Sequence, residues 1–257
     1  MKTLNLRLVR ANNYESLLRK LNTSENKNFI DSLLAKTNYK LIDSFDYPLK
    51  SSQLGQEIFV LATLGLKTEG YFVEVGAADG IFLSNTYVLE RDFRWQGICV
   101  EPARIWKNSL QGNRFCNLDF RCVFSTTGKT SFKEASSPEL STIFDLQNVD
   151  AHAAHRKNGI CYEVETVSLL DLLKQHNAPK KIDYISIDTE GSELEILENF
   201  DFSEYSVSIF TIEHNFTGNR ERIYNLMSNH GYRRVLERYS QFDDWYVKEE
   251  VNVNQAM

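Results

Sequence analysis

The sequence predicts an α/β fold built on an open, mostly parallel sheet, and three observations predict it. Residues 71–102 read as a strand, a glycine turn, a short helix and a second strand. Buried apolar runs followed by helical patterns return in the second half, around 182–197 and 207–227. Each run ends in acids, and in open α/β sheets ligands bind beyond the carboxyl ends of the strands.

The first unit carries the most information. YFVEV is a short apolar run that ends in Gly76, Ala77, Ala78, Asp79 and Gly80, a sharp turn whose small residues let a ligand approach the backbone. About twenty residues on, Ile98, Cys99 and Val100 end in Glu101, the spacing at which a βαβ unit sets a carboxylate on a ribose. A dinucleotide would need G-x-G-x-x-G, with bare amides around a pyrophosphate. Here Ala78 replaces the middle glycine, and Asp79 sets a negative charge where a diphosphate would lie. A ligand with a sulfonium and an ammonium group suits Glu74 and Asp79 better, which points to S-adenosylmethionine. The plain alternative is a parallel strand with a tight turn and no ligand.

With 257 residues the chain has room for one α/β domain and an appendage. A net charge of −6 and a pI near 5.5 oppose a nucleic-acid footprint, which is a basic patch or stripe. Lys180-Lys181 and Arg233-Arg234 read as solvated faces. Cys99, Cys116, Cys122 and Cys161 lack zinc-ligand spacing and suit reduced thiols in the cytoplasm. The sequence has no apolar run of membrane-spanning length and no solenoid repeat, so a soluble cytoplasmic protein is expected.

Residues 1–50 lack the strand-turn-helix rhythm. Leu17, Leu18 and Leu21, then Ile30, Leu33 and Leu34, recur at helical spacing and predict two amphipathic helices, packed on the core or on the partner subunit of a homo-oligomer. A further helix runs to about Gly65. Ser84 suits the N-cap of a helix over 85–91, and 120–124 reads as a third strand. Residues 133–161 have no sustained period and predict a mobile lid over an acceptor, with plain surface as the alternative. This stretch holds Ser141, His152 and His155.

A strand over 163–167 leads to Ser168-x-x-Asp171, a capping box opening a helix over 169–175. The strand 182–187 ends in Asp188, Thr189, Glu190 and Gly191; the strand 207–212 ends in Glu213, His214 and Asn215. Ile223, Leu226 and Met227 mark a helix that Gly231 terminates. Residues 233–239 and 245–248 predict a closing hairpin. Carboxylates are costly to bury unpaired, so their clustering at strand ends calls for an explanation.

VEVGAADG, SNTYVLE, GICVEP, KKIDYISIDTEGSELEIL, EHN and SQFDDWYVK, in that order, closely resemble the FkbM-type methyltransferases over about residues 51–248. The resemblance implies the class I methyltransferase fold: a Rossmann-like, mostly parallel seven-stranded sheet with a C-terminal antiparallel hairpin, here over 51–250 and preceded by the small helical extension of 1–50. It also implies S-adenosylmethionine as donor and O-methylation of a hydroxyl on a sugar, glycan or related small metabolite. Position by position, 74–80 matches the cofactor loop, Glu101 the ribose acid and Asp188 the aspartate ending the fourth strand. Candidate cofactor contacts are Glu74, Gly76, Ala78, Asp79, Gly80, Asn85, Glu101, Ser125 and Asp188. Candidate acceptor contacts are Glu190, Ser141, His152 and His155.

Methyl transfer to a hydroxyl needs a proton acceptor. His214, beside a strand end with Asp188 and Glu213 in sequence reach, is the expected general base. The competing expectation is a divalent ion, magnesium or manganese, on Asp188, Glu213 and Asn215. A nicotinamide-dependent oxidoreductase and a non-catalytic nucleoside-binding module are the other two classes. Ala78 and Asp79 oppose the first, and the acids at Asp188 and Glu213 oppose the second.

Overall fold

The computed structural model describes residues 51–65 and 67–251; the two helices expected in 1–50 lie outside them. The main sheet is laid down by runs of apolar residues buried on both faces, as parallel strands require. β1 (Tyr71–Val75) pairs in parallel with β2 (Gln96–Val100), and β2 with β3 (Asn117–Asp119). On its other side β1 pairs in parallel with β8 (Lys181–Ile187), and β8 with β9 (Ser206–Glu213). Antiparallel β11 (Asp243–Lys248) follows β9, and β10 (Tyr232–Val235) closes the edge, giving the order β10-β11-β9-β8-β1-β2-β3. This is the seven-stranded class I methyltransferase sheet that the motifs imply. The strand order reverses between β1 and β8, so the crevice beyond their carboxyl ends is where a ligand belongs.

Two apolar layers sandwich the sheet. Val73, Val75, Ile98, Ile185 and Ile187 face one layer, completed by Leu169, Leu172 and Leu173 of α5 (Leu169–Gln175) and Leu194 and Leu197 of α6 (Glu193–Glu198). Phe72, Cys99, Tyr184 and Ile209 face the other, which includes Phe59 and Val60 of α1 (Gln56–Thr63) and Leu89 of α2 (Tyr87–Phe93). Leu110 of α3 (Lys107–Asn113) belongs to it too. Ser168 accepts from the Asp171 amide at 3.0 Å, so the expected cap of α5 is present.

Three elements differ from the sequence reading. The expected strand 120–124 is split: Asp119 ends β3, Phe120 and Arg121 turn the chain, and β4 (Cys122–Phe124) joins a second sheet. That sheet has the order β4-β7-β5-β6, with β5 (Gly128–Glu134), β6 (Thr142–Ile143) and β7 (Ile160–Ser168). Within the stretch 133–161 expected to be a mobile lid it supplies β6 and the adjoining ends of β5 and β7, and also present there is α4 (Ala153–Arg156). The closing strands pair antiparallel as expected, but the first is shorter, because α8 (Glu237–Ser240) takes up the second half of the expected strand 233–239. α7 (Asn219–Asn229) ends before Gly231, whose φ of 76° continues the chain as expected. No described helix is long and apolar enough to cross a membrane.

Candidate functional site

The glycine turn leaves β1 with Gly76 and Ala77 donating to the Val100 carbonyl at 3.0 and 3.1 Å. At Gly76 the backbone has φ 88°, and a Cβ there would stand 1.9 Å from the Asp188 carbonyl oxygen. Bare backbone is therefore needed here for β1 and β8 to converge, and at Gly80, where a Cβ would meet Arg114 and Leu110, for α3 to pack. The packing of the protein itself thus requires these two glycines, beside the part expected for them in admitting a ligand. Ala78 takes the left-handed φ of 46°, and its amide donates to Glu101 Oε2 at 2.9 Å. The Ala103 amide donates to Glu101 Oε1 at 2.8 Å. Glu101 is thus fixed at the end of β2, and burial pushes its carboxyl up to about 7.

Asp79 and Glu74, expected to meet the cationic groups of a ligand, are both engaged within the protein. Asp79 Oδ1 accepts from the Ile81 and Phe82 amides at 2.8 and 2.7 Å and shapes the turn. Strand alternation puts Glu74 on the same face as Phe72, beneath the turn. There Glu74 Oε2 accepts from Ser84 at 2.9 Å, Thr86 at 2.6 Å and Arg114 Nη1 at 3.1 Å, while Oε1 accepts from the Asn85 amide. Arg114 is buried, pairs also with Glu90, and donates to Thr86 Oγ1 at 2.8 Å and the Gly80 carbonyl at 3.2 Å. Arg114 was missed in the sequence, where it follows α3 as one more surface-type cation. Asn85 Nδ2 donates to Ser186 at 2.7 Å, and its Oδ1 has no partner. Ser125 sits half-buried just past β4.

Beyond β8 and β9 the acids converge. Asp188, Glu190 and Glu213 each offer a carboxylate oxygen within 4.8 Å of the others. Asp243, which opens β11 level with Glu213, and Glu193 add charge. Burial, then the charges of neighbouring acids, pushes Asp188 up to about 7 and Asp243 up to about 8. Glu213 is raised well above the usual carboxylate range by burial and Asp188, and its Oε2 has no hydrogen-bond partner. Gln56 Nε2 donates to Asp243 Oδ2 at 2.7 Å, tying α1 to the cluster. Glu190, in the left-handed region at φ 60°, is raised by burial and by Asp188 while Arg156 opposes the shift.

The expected ligand trio of Asp188, Glu213 and Asn215 is corrected at its third member. Asn215 turns its Nδ2 toward Glu190 Oε2 at 3.2 Å, and Glu190 takes the place in the cluster. His214 is also corrected. Its amide donates to the Phe242 carbonyl, and its ring Nδ1 accepts from the Phe216 amide at 3.0 Å. Nε2 lies 3.8 Å from Asp244 Oδ1, on a group that Arg220 and Arg234 already pair. Burial lowers the imidazole pKa although Asp244 opposes the shift, and the ring braces the turn in which Asn215 and Phe216 both have positive φ. None of the interactions of the ring reaches Asp188 or Glu213.

Residues 133–161 pack against this acid cluster. Arg156 is fully buried, with Nε donating to the Leu140 carbonyl at 2.7 Å and Nη1 and Nη2 to Asp150 at 2.8 and 2.9 Å. Its Nη2 also reaches Glu190 Oε2 at 2.7 Å. Thr142 donates to the Glu190 carbonyl at 2.9 Å. Ser141 is committed to a turn, accepting from Ala135 and donating to Pro138. His152 and His155 stand 6.4 Å apart at ring centres, with His155 exposed. The HAAHR cluster therefore acts through its arginine, a signal present in the sequence and read there as a pair of histidines.

A family model described as the methyltransferase FkbM domain matches residues 74–234. Among solved structures, a methyltransferase FkbM from Methylobacillus flagellatus KT is similar at 13% identity and a TM-score of 0.46, over 87% of this chain. The chain spans 60% of the length of that protein. A precorrin-6y C5,15-methyltransferase from Geobacter metallireducens GS-15 is similar at 12% identity and a TM-score of 0.38, covering 75% of this chain and 88% of that one. A SAM-dependent methyltransferase from Aquifex aeolicus is similar at 12% identity and a TM-score of 0.35, covering 87% and 96%. No curated protein matches the sequence.

Proposed function

The chain belongs to the FkbM methyltransferase family, and we propose that it transfers a methyl group from S-adenosylmethionine to a hydroxyl of a sugar, a glycan or a related small metabolite. The observation that carries the donor is Glu101. Each of its oxygens accepts one amide, which leaves a lone pair on each for the two hydroxyls of a ribose. Beside it opens a cleft of 300 Å³ in which Pro102, Ala103, Phe120 and Val164 alternate with the charged Arg104, Lys107, Arg121, Glu163 and Glu165, and the ring of Phe120 gives a nucleobase a surface to lie on. The bound donor supplies an electrophilic methyl group on a sulfonium.

The acids beyond β8 and β9 complement a cationic donor and can hold the acceptor. Orienting the two reactants supplies roughly 7–11 kcal/mol of the barrier reduction. As the acceptor oxygen bonds to carbon its proton must leave, and a carboxylate with a pKa near neutrality is a suitable acceptor for it. Asp188, raised to about 7, is assigned that proton, with Glu213 beside it. A second reading keeps the same residues. The unpartnered Glu213 Oε2 and the spacing of Asp188, Glu190 and Glu213 also suit a magnesium or manganese ion, which would lower the pKa of the hydroxyl.

Calorimetry with S-adenosylhomocysteine tests the donor. Two hydrogen bonds to a charged group contribute about 3–6 kcal/mol, so Glu101→Ala should weaken binding by about 100-fold or more. Methyl transfer is then screened with radiolabelled S-adenosylmethionine over sugar-containing acceptors. Failure of the wild-type chain to bind the nucleoside, or unchanged affinity in Glu101→Ala, overturns the reading.

A further inference from the structure

Cys99 and Cys116 stand 3.6 Å apart, sulfur to sulfur. The register explains the pairing. Leu118 of β3 is level with Cys99 of β2, and Cys116, two residues earlier, projects from the same face of the sheet. Cys99 is fully buried, whereas Cys116 is half-buried at a bend just before β3. The Cys116 side lines a cavity of 510 Å³ together with Tyr71, Tyr87, Arg94, Gln96 and Phe115. That cavity lies at the amino ends of β1, β2 and β3, the opposite end of the sheet from Glu101 and Asp188. Neither thiol has a part in methyl transfer.

We propose that Cys99 and Cys116 form an oxidation site, converted to a disulfide by a hydroperoxide that enters this cavity. The Cys116 sulfur attacks the peroxide, the O–O bond breaks, and the products are a sulfenic acid and an alcohol, or water from hydrogen peroxide. The Cys99 sulfur then attacks the Cys116 sulfur, the S–O bond breaks, and the oxygen leaves as water with the proton of the second thiol. Two thiols lose two electrons and one peroxide gains them. Burial pushes the Cys99 thiol up, which makes Cys116 the first to react and Cys99 the resolving partner. The new bond closes a loop through Glu101 and α3, so oxidation ties the second strand end of the nucleoside half-site to the edge of the sheet.

The test uses the full chain with Cys161→Ser, which removes the exposed thiol. After treatment with hydrogen peroxide, a digest without reductant should contain one cross-linked peptide pair joining Cys99 and Cys116, lighter by two hydrogens than the sum of its parts. The melting midpoint should rise by several degrees, and reductant should reverse both changes. Adding Cys116→Ser should abolish the cross-link and the shift. The proposal is overturned if both thiols remain alkylatable after peroxide and unfolding. It is equally overturned if Cys116 proceeds to sulfinic acid while Cys99 stays a thiol.

Discussion

His214 shows how far a single side chain is governed by where its strand stops. Glu213 and His214 are neighbours in sequence, but the first joins the acid cluster and the second turns to Asp244. Its Nδ1 is occupied by the Phe216 amide, so the ring supports a turn of two left-handed residues and offers no base to an acceptor. His214→Ala should leave the shape of the pH–rate profile of methyl transfer unchanged. It should lower stability by about 1–3 kcal/mol, the cost of a hydrogen bond whose partner is left unmet. Urea denaturation measures the second effect; loss of the basic limb of the profile would restore the histidine as base. Arg114 and Glu74 show the same dependence on surroundings. Their charges neutralise each other under the glycine turn, so neither is available to a ligand.

At the scale of elements, the excursion from β5 to β7 is held to the rest of the site by Arg156. Removing one partner of a buried ion pair costs about 3–5 kcal/mol, because the charge left behind stays desolvated. Arg156→Met leaves Asp150 and Glu190 uncompensated while keeping the volume, and it should release the stretch 138–158 from the turn at Gly191. Amide exchange should quicken there and stay slow in β1, β8 and β9, whose hydrogen bonds do not involve it. Uniform protection across the chain would mean that apolar packing of Val149 and Leu146 on Gly191 suffices.

The elements that were legible are those whose burial is written in composition. β1, β2, β8 and β9 are apolar runs buried on both faces, and Ser168 and Gly231 mark helix ends by local chemistry alone. Of the second sheet, β4 and β7 fall on the expected runs 120–124 and 163–167, but that they build a separate sheet was not legible, because its other strands are short, as β6 is, or polar on alternate positions, as GKTSFKE of β5 is. Of the site, Glu101, Asp188, Glu190 and Glu213 could be placed because strand ends predict where a ligand sits. Arg114 and Arg156 could not, since an arginine becomes a buried strut only through partners distant in the chain.

For the whole molecule, the concentration of buried acids makes stability depend on pH in an unusual direction. Glu101 and Asp188 are raised to about 7, Asp243 to about 8 and Glu190 to about 9. In the unfolded chain these groups titrate near 4. Between pH 4 and 9 the native state therefore binds more protons than the unfolded state, and stability falls as pH rises through this window. Asp119 acts oppositely: burial raises it, but hydrogen bonds from Arg121 and His176 outweigh that and hold it low, so its contribution is lost only as pH falls below the usual carboxylate range. The urea midpoint should accordingly be higher at pH 5.5 than at pH 8. Each proton taken up on folding sets a limiting slope of about 1.4 kcal/mol per pH unit. A divalent ion on Asp188, Glu190 and Glu213 would replace those protons and bind the ionised cluster. Millimolar magnesium or manganese should then raise the midpoint at pH 8 and leave it unchanged at pH 5.5, where the acids are protonated. A midpoint at pH 8 that ignores both ions would exclude the metal reading and assign the acceptor's proton to the carboxylates alone. Glu213→Gln separates the two further: it removes one raised group and so flattens the pH dependence with or without metal, but abolishes the response to added ion only where that response exists.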